Sequence, residues 1–540
     1  MSPPHDSLAP LPSFDVRSFG ARGDGVALAH PGINAAIATA ADAGGGTVVV
    51  PAGDYLCYSI RLRSRVTLQL EAGATLIAAD PPAVGQTGGY DAPEDGPVNL
   101  FQDFGHSRFR NSLIWGEELD TVSIVGPGRI YGRGLSRGNG RIASPVGVIA
   151  PQPPGHLPDV LEADGPIDPV ETPPAGPFGY PHGRDTLPAG VGNKAVALRA
   201  CRNVTLRDLT ILHGGHFAVL ATACDTVTID NLLIDTNRDG IDIDACSNVR
   251  ISRCSVNSPW DDGICIKSSF GGGVLRPAEN ITVSDCYVSG FEEGTLYDGR
   301  RSRVIRHRGG PIGRIKLGTE GSGGYRNIAI TNCIFEYCRG LALEQVDGGV
   351  MEDIVVNNLT MRDIMNAPIF VRVGARLRSP AAPTALPTNR IIISQIVASA
   401  VAADHGIFIA GLENAPVNEL SLSDIRITYQ GGGTADDARR PVPELPTGYP
   451  EPFLFGALPA WGLNARHATG LAVRALTIDT ATPDVRPAVW LEDVCASEFD
   501  GVRTPRRELQ RDEWRVVDSC GVILHDTAGT DLGRDESRRR

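Results

Sequence analysis

The chain has 540 residues and no apolar run approaching the length that spans a bilayer, and its start, Met1 to Phe14, is proline-rich and polar, with no charged segment followed by a hydrophobic one. A membrane-spanning helix is therefore not expected. The same absence of an export signal makes a cytoplasmic protein the expectation, or a periplasmic or secreted one if a leader has been removed. Positive charge is scarce, with 50 Lys and Arg against 63 Asp and Glu and a formal net charge of −13. Nucleic acid and anionic membrane both demand clustered Lys and Arg, so neither is the expected partner, and an acidic ligand needs a local basic site. Signs of disorder or of collagen-like repeats are also missing, and 42% hydrophobic with 21% charged residues is enough to bury a large core. Cysteine is present in odd number, eleven, and several copies recur at the same place in successive repeats, which reads as buried thiols. The terminal Arg538-Arg539-Arg540 reads as a solvated, frayed end.

What is present is a repeat. One phrase returns in register as CRNVTLRDLTI at 201, CDTVTIDNLLI at 224, CSNVRISRCSV at 246, AENITVSDCYV at 278, YRNIAITNCIF at 325 and MEDIVVNNLTM at 351, with looser copies at 388, 417 and 468. In each, two apolar residues two apart are followed, after a polar pair, by two more, as in Val204, Leu206, Leu209 and Ile211. Period two means strands with one buried face, and the polar pair marks a bend. A strand-turn-strand unit every 22 to 32 residues, apart from one interval lengthened by an insertion, predicts an all-β parallel β-helix, a solenoid whose coils stack to bury one continuous core. Leucine-rich repeats need their Leu and Asn pattern and propellers a four-stranded blade of roughly 40 residues, and neither fits.

The expected organisation is one domain over 14–510, with core repeats at about 60–130 and 195–505 and tails at 1–13 and 530–540. An amphipathic stretch from Ile33 to Ala43 is expected to be a helix capping the open end of the stack. Three insertions interrupt the repeat, at 136–192, 289–313 and 430–461, and are read as loops forming walls around one groove.

The densest acidic constellation is Asn237-Arg238-Asp239-Gly240-Ile241-Asp242-Ile243-Asp244, followed one coil later by Trp260-Asp261-Asp262-Gly263. Asp239 lies five residues after the inward Ile234, and Asp261 five after the equivalent Val256, so the two are expected to stand over one another, about 4.8 Å apart, with Asp262 beside them. Like charges this close repel, which raises at least one pKa and keeps a proton available near neutral pH. Glycoside hydrolysis needs such a set, one carboxyl to protonate the leaving oxygen and another to attack or to activate water. Isolated Asp residues in tight turns more often bond local backbone; Asp242 and Asp244, alternating with Ile241 and Ile243, follow ordinary strand patterning. A calcium site is a further reading of clustered carboxylates, but no EF-hand-like spacing is present. Neither a metal nor a cofactor is expected.

The phrases NRDGIDID and WDDGICIKSS resemble the NTDGID and DDCIAIKSG segments of the polygalacturonases of glycoside hydrolase family 28. FDVRSFGARGDG and GGGTVVVPAGDY are similar to the opening of the wider pectin-active β-helix superfamily, and GPGRIYGRG, NKAVALRACRNV and RPAENITVSDC also resemble family segments, over about 14–365. The resemblance implies a right-handed β-helix and inverting hydrolysis of a pectic poly- or oligosaccharide, with Asp261 as general acid and Asp239 and Asp262 holding the attacking water. Inversion calls for roughly 6.5–9.5 Å between acid and base, so the side chains are expected to splay. Asn237 matches the Asn of the first motif, and Arg238 replaces its usual Thr.

Two departures stand out. The Gly-His-Gly motif is absent before Gly318-Thr319-Glu320, leaving His307 as a substitute, and the carboxylate-binding Arg-Ile-Lys motif is replaced on its coil by Gly340-Leu341-Ala342-Leu343-Glu344, while Arg314-Ile315-Lys316 copies its letters one coil early. Without that clamp, a neutral or differently linked sugar at the reactive subsite is an open alternative. Further substrate-binding candidates are Lys267, Arg314 and Lys316 for a uronate, set against surface salt bridging, together with Glu344, His216 in its glycine-rich turn, and Trp260, read as a stacking surface beside the acids. The insertions favour attack at chain ends. A polysaccharide lyase and a non-catalytic carbohydrate-binding β-helix are the rival readings, and oligomeric state is left open.

Overall fold

The computed structural model describes residues 12–83, 86–94, 101–102, 106, 108–136, 187, 189–303, 310–384, 387–504 and 513–527. Thirty-seven strands form one continuous hydrogen-bonded system. A representative coil has three short strands, Asp225–Asp230, Leu233–Asp235 and Asp239–Asp244, and each pairs in parallel with its counterpart in the coils before and after. Three parallel sheets run the length of the solenoid, and the crossovers take the right-handed sense that twisted strands impose.

The sequence phrase maps onto the first two sheets. Val204, Val227, Val249 and Ile281 stack in register, as do Leu206, Ile229, Ile251 and Val283, all buried. The polar pair makes the bend because its second member takes a left-handed conformation: Asp208 (φ 65°), Asn231 (φ 55°), Arg253 (φ 55°), Asp285 (φ 57°), Asn332 (φ 55°) and Asn358 (φ 53°). Asn and Asp tolerate this region through local polar contacts. They also bond between coils, Asn231 Nδ2 donating to Asp208 Oδ1 at 2.8 Å and Asn358 Nδ2 to Asn332 Oδ1 at 2.7 Å.

The N-terminal cap is the α-helix His30–Asp42, which buries Ile33, Ala36, Ile37 and Ala40 on one face against the first coils. At the other end the coils run past the expected boundary, with strands at Trp514–Val517 and Cys520–His525. Nine cysteines are buried free thiols, as expected. Cys495 and Cys520 depart from that expectation: they are in register on adjacent coils, with Cα atoms 4.6 Å apart, and form a disulfide that ties the last coil down. Among the described residues no helix is long and apolar enough to cross a membrane. Of the insertions, 430–461 is described throughout, whereas 137–186 and 304–309, and His307 with them, lie outside the described residues.

Candidate active site

The third sheet carries the candidate chemistry on its outward face. One row passes in register through Ala197, Leu220, Asp242, Cys265, Lys316, Ala342, Phe370 and Phe408. Its two ends are apolar and covered. Phe109 packs with Ala197, Phe217 and Leu220 at one end, and Phe455 and Leu458 of the 430–461 insertion pack on Phe370 and Phe408 at the other. Between them lies a window of charge.

Asp239, Asp261 and Asp262 converge there, each offering an oxygen within 4.8 Å of the others. The register differs by one from the expectation. Ile234 opposes Val256, but Ile241 opposes Ile264, because the bend after Val256 holds one more residue than the bend before Asp239. Asp239 therefore stands over Asp262, whose carbonyl accepts from Gly240 N at 3.0 Å, and Asp261 is displaced toward solvent with a fifth of its side chain exposed. Nor do the carboxyls splay: their nearest oxygens are within 4.8 Å, below the roughly 6.5–9.5 Å of an inverting pair.

Asp239 and Asp262 are pushed in opposite directions because their neighbours differ. Burial, reinforced by Asp242 and Asp261, pushes Asp239 well above the usual carboxylate range. Burial also acts on Asp262, but Lys316, Arg314 and Lys267 outweigh it and hold that group below the usual range. Arg314 Nε donates to Asp262 Oδ1 at 2.8 Å, and Lys316 Nζ lies 3.1 Å from Oδ2. Arg238, the residue that departs from the family motif, donates through Nη2 to Asp261 Oδ2 at 2.5 Å. Asp239 thus holds a proton more tightly than Asp262 does in the same cleft. The triad has metal-ligand spacing, yet both oxygens of Asp262 are already engaged by protein cations, which leaves a divalent ion poorly matched to the set.

The remaining predicted residues fall into two groups. Lys267, Arg314, Lys316 and Glu344 join the window. Lys267 is buried, 2.8 Å from Asp242 and 3.9 Å from Glu320, so the surface salt-bridge reading is corrected. Burial pushes Glu344 up to about 7, against the lowering pull of Lys316 and Arg314. Asn237 is buried beside the triad, its carbonyl accepting from Trp260 N at 3.0 Å. Trp260 itself is only 8% exposed and offers little ring face to a sugar, which corrects its reading as a stacking surface. His216 is buried against Phe217, with ring centroids 4.4 Å apart.

Several window residues carried no signal in the sequence. His106 meets Phe217 edge-on with ring centroids 4.9 Å apart, contacts Lys267 Nζ at 3.0 Å and lies 3.5 Å from Asp244, which also accepts from Ser269 Oγ at 2.5 Å. Glu451, on the third insertion, accepts from Arg314 Nη2 at 2.7 Å and pairs with Arg339 at 2.7 Å. Tyr449 places its hydroxyl 3.0 Å from Thr319 Oγ1 and 3.4 Å from Lys316 Nζ. Each reaches the window from a loop or coil remote in sequence, so no spacing rule could have found it.

Comparison with known proteins agrees with this fold. A family model described as a right handed beta helix region matches residues 194–377, and one described as rhamnogalacturonase A/epimerase, pectate lyase-like, matches 13–93. A probable polygalacturonase of Arabidopsis thaliana is 24% identical over 61% of this chain, and an exo-poly-alpha-D-galacturonosidase of Dickeya chrysanthemi is 25% identical over 67%. The chain spans 65% and 57% of the length of these two relatives. Among solved structures, a family 28 exopolygalacturonase of Yersinia enterocolitica aligns over 96% of this chain and 78% of its own, at TM-score 0.57 and 17% identity. An exopolygalacturonase of Thermotoga maritima aligns over 78% and 88%, at TM-score 0.53 and 20% identity. At these identities the structural likeness speaks for the fold.

Proposed function

Starting from a chain that is a polygalacturonase-like right-handed β-helix protein, we propose that it is a glycosidase that hydrolyses glycosidic bonds in pectic polysaccharide or its oligosaccharides. The observation that carries this reading is the convergence of Asp239, Asp261 and Asp262, with Asp239 and Asp262 pushed in opposite directions from the usual carboxylate range. Asp262, held ionised by Arg314 and Lys316, orients the attacking water, and Asp239, the stronger base of the two, takes its proton. Asp261, the most exposed of the three and bonded by Arg238, serves as the general acid toward the glycosidic oxygen. This gives inversion. A retaining course, with one carboxylate attacking the sugar, is the second reading, favoured by oxygens within 4.8 Å, since retaining pairs stand roughly 5–5.5 Å apart.

Lyase chemistry is less well served. Proton abstraction next to a uronate carboxylate needs a neutral base, whereas Asp239 and Asp242 hold Lys267, and Asp262 and Glu344 hold Lys316, firmly protonated against the pull of burial. The docked apolar caps on both sides of the window close the groove along the solenoid axis, which supports action on chain ends or short oligosaccharides.

Mass spectrometry of products from pectic oligosaccharides, cleaved in heavy-oxygen water, tests the proposal. Incorporation of one labelled oxygen at the new reducing end is expected, with one anomer seen first by proton NMR. Unsaturated, unlabelled product ends would replace the hydrolase by a lyase.

A further inference from the structure

We infer that the sugar ring held at the carboxylate window is uncharged, a methyl-esterified uronate or a ring bearing a hydroxymethyl group, and that Glu451 sets this preference. The inference rests on the glycosidase reading for where the ring lies, but its charge argument stands apart from catalysis.

The cations that a uronate carboxylate would seek are answered by the chain itself. Arg314 bonds Asp262 at 2.8 Å and Glu451 at 2.7 Å, and Arg339 pairs with Glu451 at 2.7 Å. Lys316 lies 3.1 Å from Asp262 and 3.6 Å from Glu344, and Lys267 lies 2.8 Å from Asp242. All of these groups are buried. A carboxylate brought in by a ligand must displace a protein carboxylate or sit unpaired among Asp239, Asp242 and Asp261, and either is costly in a low-dielectric cleft.

Glu451 is the decisive group because it arrives from the 430–461 insertion and takes both Arg314 and Arg339 at once. Two residues earlier on that strap, Tyr449 keeps 39% of its surface exposed while its hydroxyl is anchored on Thr319. A tyrosine pinned at the hydroxyl and open on its ring offers the apolar face that a neutral pyranose stacks against.

The test pairs digalacturonic acid with its methyl-esterified and carboxyl-reduced counterparts, using the full chain, and reads both cleavage and calorimetric binding. The neutral ligands are expected to be favoured about 10-fold or more in kcat/KM and in Kd. Preference for the free acid, equal preference, or no binding of any of the three overturns the inference. Binding of the neutral ligands without cleavage leaves it standing and removes the glycosidase reading instead. E451Q, which frees Arg314 and Arg339, is expected to lower KM for the free acid about 10-fold and so narrow the gap. An unchanged ratio overturns the assignment to Glu451, and the wild-type ligand comparison decides the charge question even if that variant fails to fold.

Discussion

The outward faces of the first and third sheets are built on the same ladder geometry, yet one faces solvent and the other is sealed. On the first sheet, strands such as Ser247–Ser252 alternate buried and exposed positions, and Ile392 and Val355 remain 46% and 38% exposed. On the third, Phe217–Thr222 and Asp239–Asp244 are buried at every position. A parallel ladder does not by itself decide which of its faces is covered. The difference comes from loops that dock on the third sheet through Phe109 and Phe455, and they leave ionisable groups between them in a low dielectric. Charge there is expensive unless paired, so small changes in pairing become large changes in protonation.

That contrast can be broken most severely at Asp262. Asp262→Asn is expected to lower the rate of bond cleavage by about 10²–10⁴-fold. By removing the carboxylate charge that lies nearest to both Arg314 and Lys316, it should also cost roughly 3–5 kcal/mol of stability, read from urea unfolding. A smaller effect separates the two faces of the first sheet. Ile251→Ala, in the core, should lose about 2–5 kcal/mol, whereas Thr228→Ala, on the outward row of the same sheet, should change stability by no more than about 0.5 kcal/mol. The ends of the solenoid differ as well. Cys495→Ser removes the tie on the last coil, worth about 3 kcal/mol for a loop of this length, and should expose 514–525 to limited proteolysis without lowering catalytic activity.

The mildest effect is a matter of pH. Glu344 has its folded pKa raised from 4.5 to about 7, so the folded state binds its proton more tightly than the unfolded chain does. Its contribution is favourable below pH 4.5, is lost as pH rises through about 7, and is level above that. Glu344→Gln should flatten the fall in urea midpoint across that interval and leave the profile below it unchanged.

The solenoid was legible because its rule is local. Val227, Ile229, Leu232 and Ile234 declare two strands and a bend without reference to any other part of the chain, and the left-handed Asn231 between them is a residue type chosen by that bend. The acids at Asp239, Asp261 and Asp262 were legible for the same reason, since neighbouring coils are neighbouring stretches of sequence. The stacking partner of Asp239 was misread by one residue, because periodicity fixes strands but not the number of residues in an irregular bend. Lys267 as a buried rather than a surface group, and Trp260 as a packed rather than a presented ring, depended on which loops cover the sheet. Glu451, Tyr449 and His106 had no local signature at all.

Sequence alone thus determined the stack of coils, the inward rows, the bends and the three acids, since each follows from period-two patterning and the fixed rise between parallel strands. Tertiary structure alone decided which carboxyl holds a proton more tightly, which cations are already paired and which face is shut off from water. Those properties depend on distances between segments such as Arg314 and Glu451, 137 positions apart in the chain, and on a dielectric that exists only after the loops have docked.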